Sequence, residues 1–407
     1  MLNTITEQRT HSALSHLECA RTHEIYDADK LNKVSAVGAP LLARYDLKKV
    51  QCSVTPSEIS RRPANMWRYR ELLPVREYRH IVSMEEGYTP IYELPKLTQF
   101  LGLRQLLIKD ESTNPGDTFK ARGASVAVSR AVELGAKTLA IATNGNAGEA
   151  LAMYGARAGI PTVVVMPVDA QIVSQKICAI SGARTYLVRG LISDAAKIVQ
   201  RGVEDEGWFD VSTLKEPYRL EGKKTMGYEI VEQLGWCFPD VIMFPTGGGI
   251  AIAGMYKAFL ELQELGWVEG PLPRLIAVQA EGCAPLVKAF HAGKKESEFF
   301  HGAHTFANGL RVPKSFGDFM VLEAIYATGG YAISVSDEEI RNSIELVSKL
   351  EGVILGSEAA AVVPGLRKLL EQGVLGSDNQ VVLMGTGSSL KYPNSITTPN
   401  LEILDPF

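Results

Sequence analysis

Paired cysteines are missing from this 407-residue chain. Its five cysteines, Cys19, Cys52, Cys178, Cys237 and Cys283, are odd in number and far apart. That pattern excludes a disulfide framework and any pair at metal-ligand spacing, and it points to reduced thiols. Long apolar runs are missing too. The longest uncharged stretch, Val241 to Tyr256, is broken by Pro245 and three glycines, and it falls short of the ~20 residues a bilayer requires. The first residues hold Glu7, Arg9 and Glu18 without an apolar stretch between them, so neither a secretory signal nor a membrane partner is expected, and the expected compartment is the cytoplasm. Excess charge is the third absence. Lysine plus arginine number 42 against 46 acids, a net charge of -4 that cannot neutralise a nucleic-acid backbone.

What is present is an ordinary globular composition, 46% hydrophobic and 22% charged, long enough for two or three domains. Residues 1–62 are polar and irregular and read as an extension outside the core. Beyond them, four short apolar strands begin at Thr138, Thr162, Thr185 and Trp208, spaced 24, 23 and 23 residues apart, with helix-patterned stretches between them. Alternation of this kind implies parallel pairing, because a parallel connection needs a crossover of a dozen or more residues. Further strands are predicted at Asp240–Pro245, Leu275–Gln279 and Val381–Gly385, and helices at about 250–265, 337–350 and 359–370, the second capped by Ser336. The expected fold is α/β, with two open twisted parallel-type sheets flanked by helices. Residues 124–213 form a small domain inserted into a larger one made of 63–123 and 214–407. Ligands in such sheets sit at the carboxyl ends of the strands, in the cleft.

Four strand-end loops carry candidate chemistry. Lys120 follows the turn Asn114-Pro-Gly-Asp117 and precedes Ala121 and Gly123. An ammonium held there among apolar neighbours has a lowered pKa and can form a Schiff base; a solvated surface charge is the bland alternative. Thr143-Asn144-Gly-Asn146-Ala-Gly148 joins a strand to a helix. It is either a tight turn or a set of N–H donors for an anion, with the Asn146 amide placed to bond a phenolic oxygen. Pro245-Thr246-Gly247-Gly248-Gly249 lets backbone N–H groups wrap a phosphate, and it matches neither common nucleotide pattern. Met384-Gly-Thr386-Gly-Ser-Ser, after another apolar strand, offers hydroxyls to a ring nitrogen.

In that order these loops resemble the fold-type II pyridoxal-phosphate enzymes. With Met66 to Pro74 (MWRYRELLP), Met84 to Pro90 (MEEGYTP), Arg219 to Thr225 (RLEGKKT) and Thr386 to Lys391 (TGSSLK), the chain resembles the threonine synthases from about Leu17 to Lys391. The resemblance implies pyridoxal 5'-phosphate held by Lys120 as a Schiff base, Asn146 on its 3'-hydroxyl, Thr246 and Gly247 to Gly249 at its phosphate, and Thr386 facing its pyridine nitrogen. Lys120 would also move protons at Cα and Cβ while O-phosphohomoserine and water become threonine and phosphate by γ-elimination and β-addition. Substrate contacts are expected from Ser83, Lys109, Thr143, Asn144, Arg219 and Lys224, the charged ones suiting a dianionic leaving group. A homodimer is implied.

Two positions depart from the family pattern. Ala121 stands where an aspartate is usual and makes the lysine segment look like threonine or serine dehydratases. Leu214 stands where a phosphate-holding serine would fall. A β-eliminating or β-replacing enzyme on another amino acid is therefore the alternative, and a catalytically silent binding module is a third reading. No metal is expected: Cys19 has only His23 nearby, and His301 and His304 lack a third ligand. Nothing in the sequence brings Glu221 and Glu358 together as an acid/base pair.

Overall fold

A computed structural model describes residues 12–396, 401–404 and 406. Its strands are β1 (Leu14–Cys19), β2 (Ile25–Tyr26), β3 (Leu41–Tyr45), β4 (Ile91–Glu93), β5 (Gln105–Asp110), β6 (Leu139–Ala142), β7 (Thr162–Pro167), β8 (Arg184–Val188), β9 (Phe209–Asp210), β10 (Val241–Pro245), β11 (Arg274–Ala280), β12 (Tyr331–Val335) and β13 (Gln380–Gly385). A six-stranded sheet runs β12-β11-β10-β13-β5-β4, parallel except for β4. A four-stranded, wholly parallel sheet runs β8-β7-β6-β9.

Both are α/β sheets covered on two faces, which is why their strands read as apolar runs rather than alternating ones. Ile242 and Phe244 of β10 enter one core of the large sheet, and Val241 and Met243 enter the core on its other face. In the small sheet Val164 and Met166 of β7 face one core and Val163 and Val165 the other. The helix Asp337–Glu351 begins with the capping box of Ser336 and Glu339 that its sequence announces.

One expectation is corrected. The described part of the first 62 residues is no extension outside the core. β2-β1-β3 form an antiparallel sheet, and Leu14, Leu17, Cys19, Leu41 and Ala43 share a core with Ala121 and Ala124. Val50, Val54 and Ile59 enter another. The Cys19 thiol hydrogen-bonds Ser35 Oγ, and His23 pairs with Glu18.

Candidate active site

The carboxyl ends of β6, β9, β10 and β13 open onto one cavity of about 760 Å³. Lys120 begins the helix Lys120–Glu133 at its edge. The loop before this helix is clipped to the loop after β13: Phe119 N–H donates to Thr386 O at 3.2 Å, and Ser388 N–H to Asp117 O at 3.2 Å. That clip holds the half-buried Lys120 amine in the cavity, 4.0 Å from the centre of the Phe119 ring. Burial, then the Arg219 guanidinium, push the ammonium down to about 7, and Glu358 opposes them. A large fraction of the amine is therefore unprotonated and nucleophilic at neutral pH.

The β10 loop supplies the opposite wall. The N–H groups of Gly247, Gly248 and Gly249 have no hydrogen-bond partner among the described residues, and they precede the helix Ile250–Glu264. A Cβ on Gly247 would lie 2.3 Å from Gly309 O, and Gly249 has φ of +74°, so side chains are excluded where the loop must stay open. Ser315 Oγ donates to Gly248 O at 2.6 Å and fixes the loop from the outside. The β6 loop brings Asn144 and Asn146 to the cavity. Asn146 Nδ2 donates to Tyr392 Oη, and its Oδ1 is buried without a partner. Thr386 lines the same space, its hydroxyl making no hydrogen bond among the described residues.

Other expected contacts lie elsewhere. Thr246 is buried outside the cavity wall, its hydroxyl donating to Phe244 O at 2.7 Å. The Thr143 hydroxyl accepts from Gly145 and Gly148 N–H and caps the next helix. Ser83 packs against Glu86. Lys109 is fully buried, donating to Glu229, Gln233 and Thr89 O, and Lys224 pairs with Glu221 and Glu261. Neither lysine can leave its carboxylates for a substrate without stranding a buried charge. Arg219 is buried behind the wall, donating to Val211 O at 2.8 Å and Thr213 Oγ1 at 3.4 Å.

The departures from the family pattern also fall outside the cavity wall. Ala121 is in the core, and Leu214 packs with Leu220, Ile250 and Met320. Glu358 lines the cavity and accepts Gly309 N–H, whereas Glu221 is bound to Lys224 and Lys257. His301 lies against Phe299, and His304 Nδ1 bonds Gly302 O.

Among the lining residues that sequence reasoning missed are Lys223 and Tyr392. Lys223 could have been found one helical turn after Arg219. Lys391 was singled out only as the end of a signature. Its amine reaches Gly116 O at 2.7 Å, beside the large sheet, and Glu149 of the helix after β6, which also receives the Ser174 hydroxyl.

A half-buried lysine, a glycine cradle and an asparagine at convergent strand ends define a cofactor enzyme that works through a carbonyl adduct. The family described as pyridoxal-phosphate dependent enzyme matches residues 82–387. A threonine synthase of Methanosarcina acetivorans is 36% identical over 94% of this chain and 93% of its own, and one of Methanocaldococcus jannaschii is 34% identical over 93% of each. Among solved structures, maize serine racemase aligns with a TM-score of 0.65 at 21% identity over 75% of this chain and 89% of its own, which speaks to the fold. The chain belongs to the threonine synthase family of pyridoxal-phosphate-dependent enzymes.

The residues present fit that cofactor. An orphaned buried Asn146 Oδ1, three unpartnered glycine N–H groups and a cradle that a Cβ would fill are what a phosphorylated pyridine ring requires.

Proposed function

We propose that the chain is a threonine synthase, converting O-phosphohomoserine and water to threonine and phosphate. The observation that carries the reading is the low-pKa Lys120 facing the glycine loop across one cavity, in a chain 34–36% identical to threonine synthases over nearly its whole length.

When bound, pyridoxal phosphate supplies an electron sink for negative charge at the substrate Cα. Lys120 would hold the cofactor and would carry protons at the substrate Cα and Cβ; its lowered pKa suits both directions of transfer. Gly247, Gly248 and Gly249 would hold the cofactor phosphate, Asn146 would contact its 3'-hydroxyl, and the Thr386 hydroxyl would meet the ring nitrogen. A hydroxyl cannot fully protonate that nitrogen, so the residues around Cβ and Cγ must steer the reaction. Asn144 and the N–H groups at the start of the helix Asn146–Ala158 receive the substrate carboxylate. Phe299, Phe300 and Phe316 line the cavity and limit the water that reaches Cβ.

Among the described residues no helix is long and apolar enough to cross a membrane. Five free thiols suit a reducing compartment such as the cytoplasm, and a homodimer is the assembly that the family resemblance implies. The test supplies O-phosphohomoserine to the loaded protein and expects threonine and phosphate in equal amounts. A 2-oxo acid formed from serine or threonine, with no phosphate released from O-phosphohomoserine, would overturn the reading.

A further inference from the structure

We propose that Lys223, with the hydroxyls of Ser212 and Thr213, forms the subsite that receives the phosphate of the substrate. This rests on the threonine synthase reading for the identity of the substrate, but not for the chemistry of the subsite.

Five lysines of the described chain are buried: Lys109, Lys223, Lys224, Lys257 and Lys391. Four of them are bound to carboxylates, Lys109 to Glu229, Lys224 and Lys257 to Glu221 and Glu261, and Lys391 to Glu149. Lys223 is 1% exposed, lines the cavity, and has no hydrogen bond or ion pair among the described residues. Its amine lies 5.7 Å from the centre of the Phe119 ring. A buried amine without a partner is costly, and a site that keeps one holds a place for an anion that arrives from outside.

The charged groups within reach explain why nothing inside the protein fills that place. Burial, Lys120 and Arg219 drive the Lys223 ammonium well below its ordinary value, and Glu216 is the opposing charge. Glu216 is already committed, its oxygens accepting Tyr218 and Arg219 N–H. Ser212 Oγ accepts from Ala142 N–H and Thr213 Oγ1 from the Arg219 guanidinium, so both hydroxyl protons remain free to donate. A dianion placed here meets an amine, two hydroxyl donors and the positive field of Arg219, on the Lys120 side of the cavity. Arrival of that dianion raises the pKa of Lys223, so binding takes up a proton.

The cofactor also carries a phosphate, and two titrations separate the sources. Pyridoxal phosphate is titrated into the unloaded protein, and O-phosphohomoserine, O-phosphoserine and homoserine into the loaded protein, read by cofactor absorbance. Lys223→Met is expected to weaken both phosphorylated amino acids by about 30-fold or more, leaving homoserine and cofactor affinity within about twofold. Lys223→Gln serves as the second variant should the first fail to fold. Weakened cofactor binding with unchanged discrimination between phosphorylated and plain amino acids would overturn the proposal, as would no change in either. Lys223-dependent binding of O-phosphoserine without turnover of O-phosphohomoserine would sink the threonine synthase reading and leave this one standing.

Discussion

Lys223 and Lys224 are neighbours on one helix, Tyr218–Gln233, equally hidden from solvent and opposite in company. Lys224 turns into a network of Glu221, Glu261 and Lys257, with Tyr45 Oη donating to Glu221. On another face, toward the helix Lys120–Glu133, Glu229 binds Arg122 and Lys109. Lys223 lies on the cavity side, with Arg219 behind the wall, where carboxylates are scarce. The helix is therefore a partition between charges that the fold satisfies and charges that it leaves for a ligand. Burial alone does not separate structural from functional lysines; the presence of an internal counter-charge does.

The comparison can be sharpened from its strongest effect downward. Lys120→Ala should lower kcat by about a thousandfold or more and abolish the visible absorbance of the loaded protein, measured by steady-state assay and spectrum. Lys224→Met leaves Glu221 and Glu261 short of a cation and should cost about 3–5 kcal/mol in denaturant unfolding. Lys223→Met removes an uncompensated amine, so the unloaded protein should be no less stable. Equal destabilisation by the two substitutions would erase the distinction.

Acid should find the paired side first. Burial would raise the Glu229 carboxyl, but Arg122 and Lys109 outweigh it and hold the group at about 2, against 4.5 in an unstructured chain. Its folded pKa is lowered, so its stabilising contribution is complete above about pH 4.5 and lost as pH falls toward 2. Glu229→Gln should flatten the pH dependence of unfolding in that window. The cavity side responds near neutrality. With Lys120 at about 7, the rate at which unloaded protein takes up pyridoxal phosphate should rise about tenfold from pH 6 to pH 8, and then level off.

The repeat of strands was legible because a parallel strand buried on both faces must be apolar throughout. β6, β7, β8 and β9 fall within two residues of where their runs begin, although β9 is cut to Phe209 and Asp210. The glycine loop and Lys120 were legible as candidates because each follows an apolar strand, where an open α/β sheet places its ligands. The first sheet was not. β1 carries Ser15, His16 and Glu18 among its buried residues, and its core partners Ala121 and Ala124 lie more than a hundred positions away. The substrate lysine was illegible for a different reason. Nothing in the adjacent letters of Lys223-Lys224 tells which one meets Glu261, because that carboxylate arrives on another helix. Ser83 and Lys109 failed in the same way: their charge and hydroxyl chemistry was visible, and their long-range partners were not.

Lys391 deserts neither side of the cleft. By gripping Gly116 O on one side and Glu149 on the other, it ties the loop after β5 to the helix after β6. The free rim lies where Leu191 and Ile192 stand opposite Phe316, all exposed apolar side chains. A substrate that enters past these side chains trades water for an apolar surface, while the Lys391 tie keeps the two segments in register.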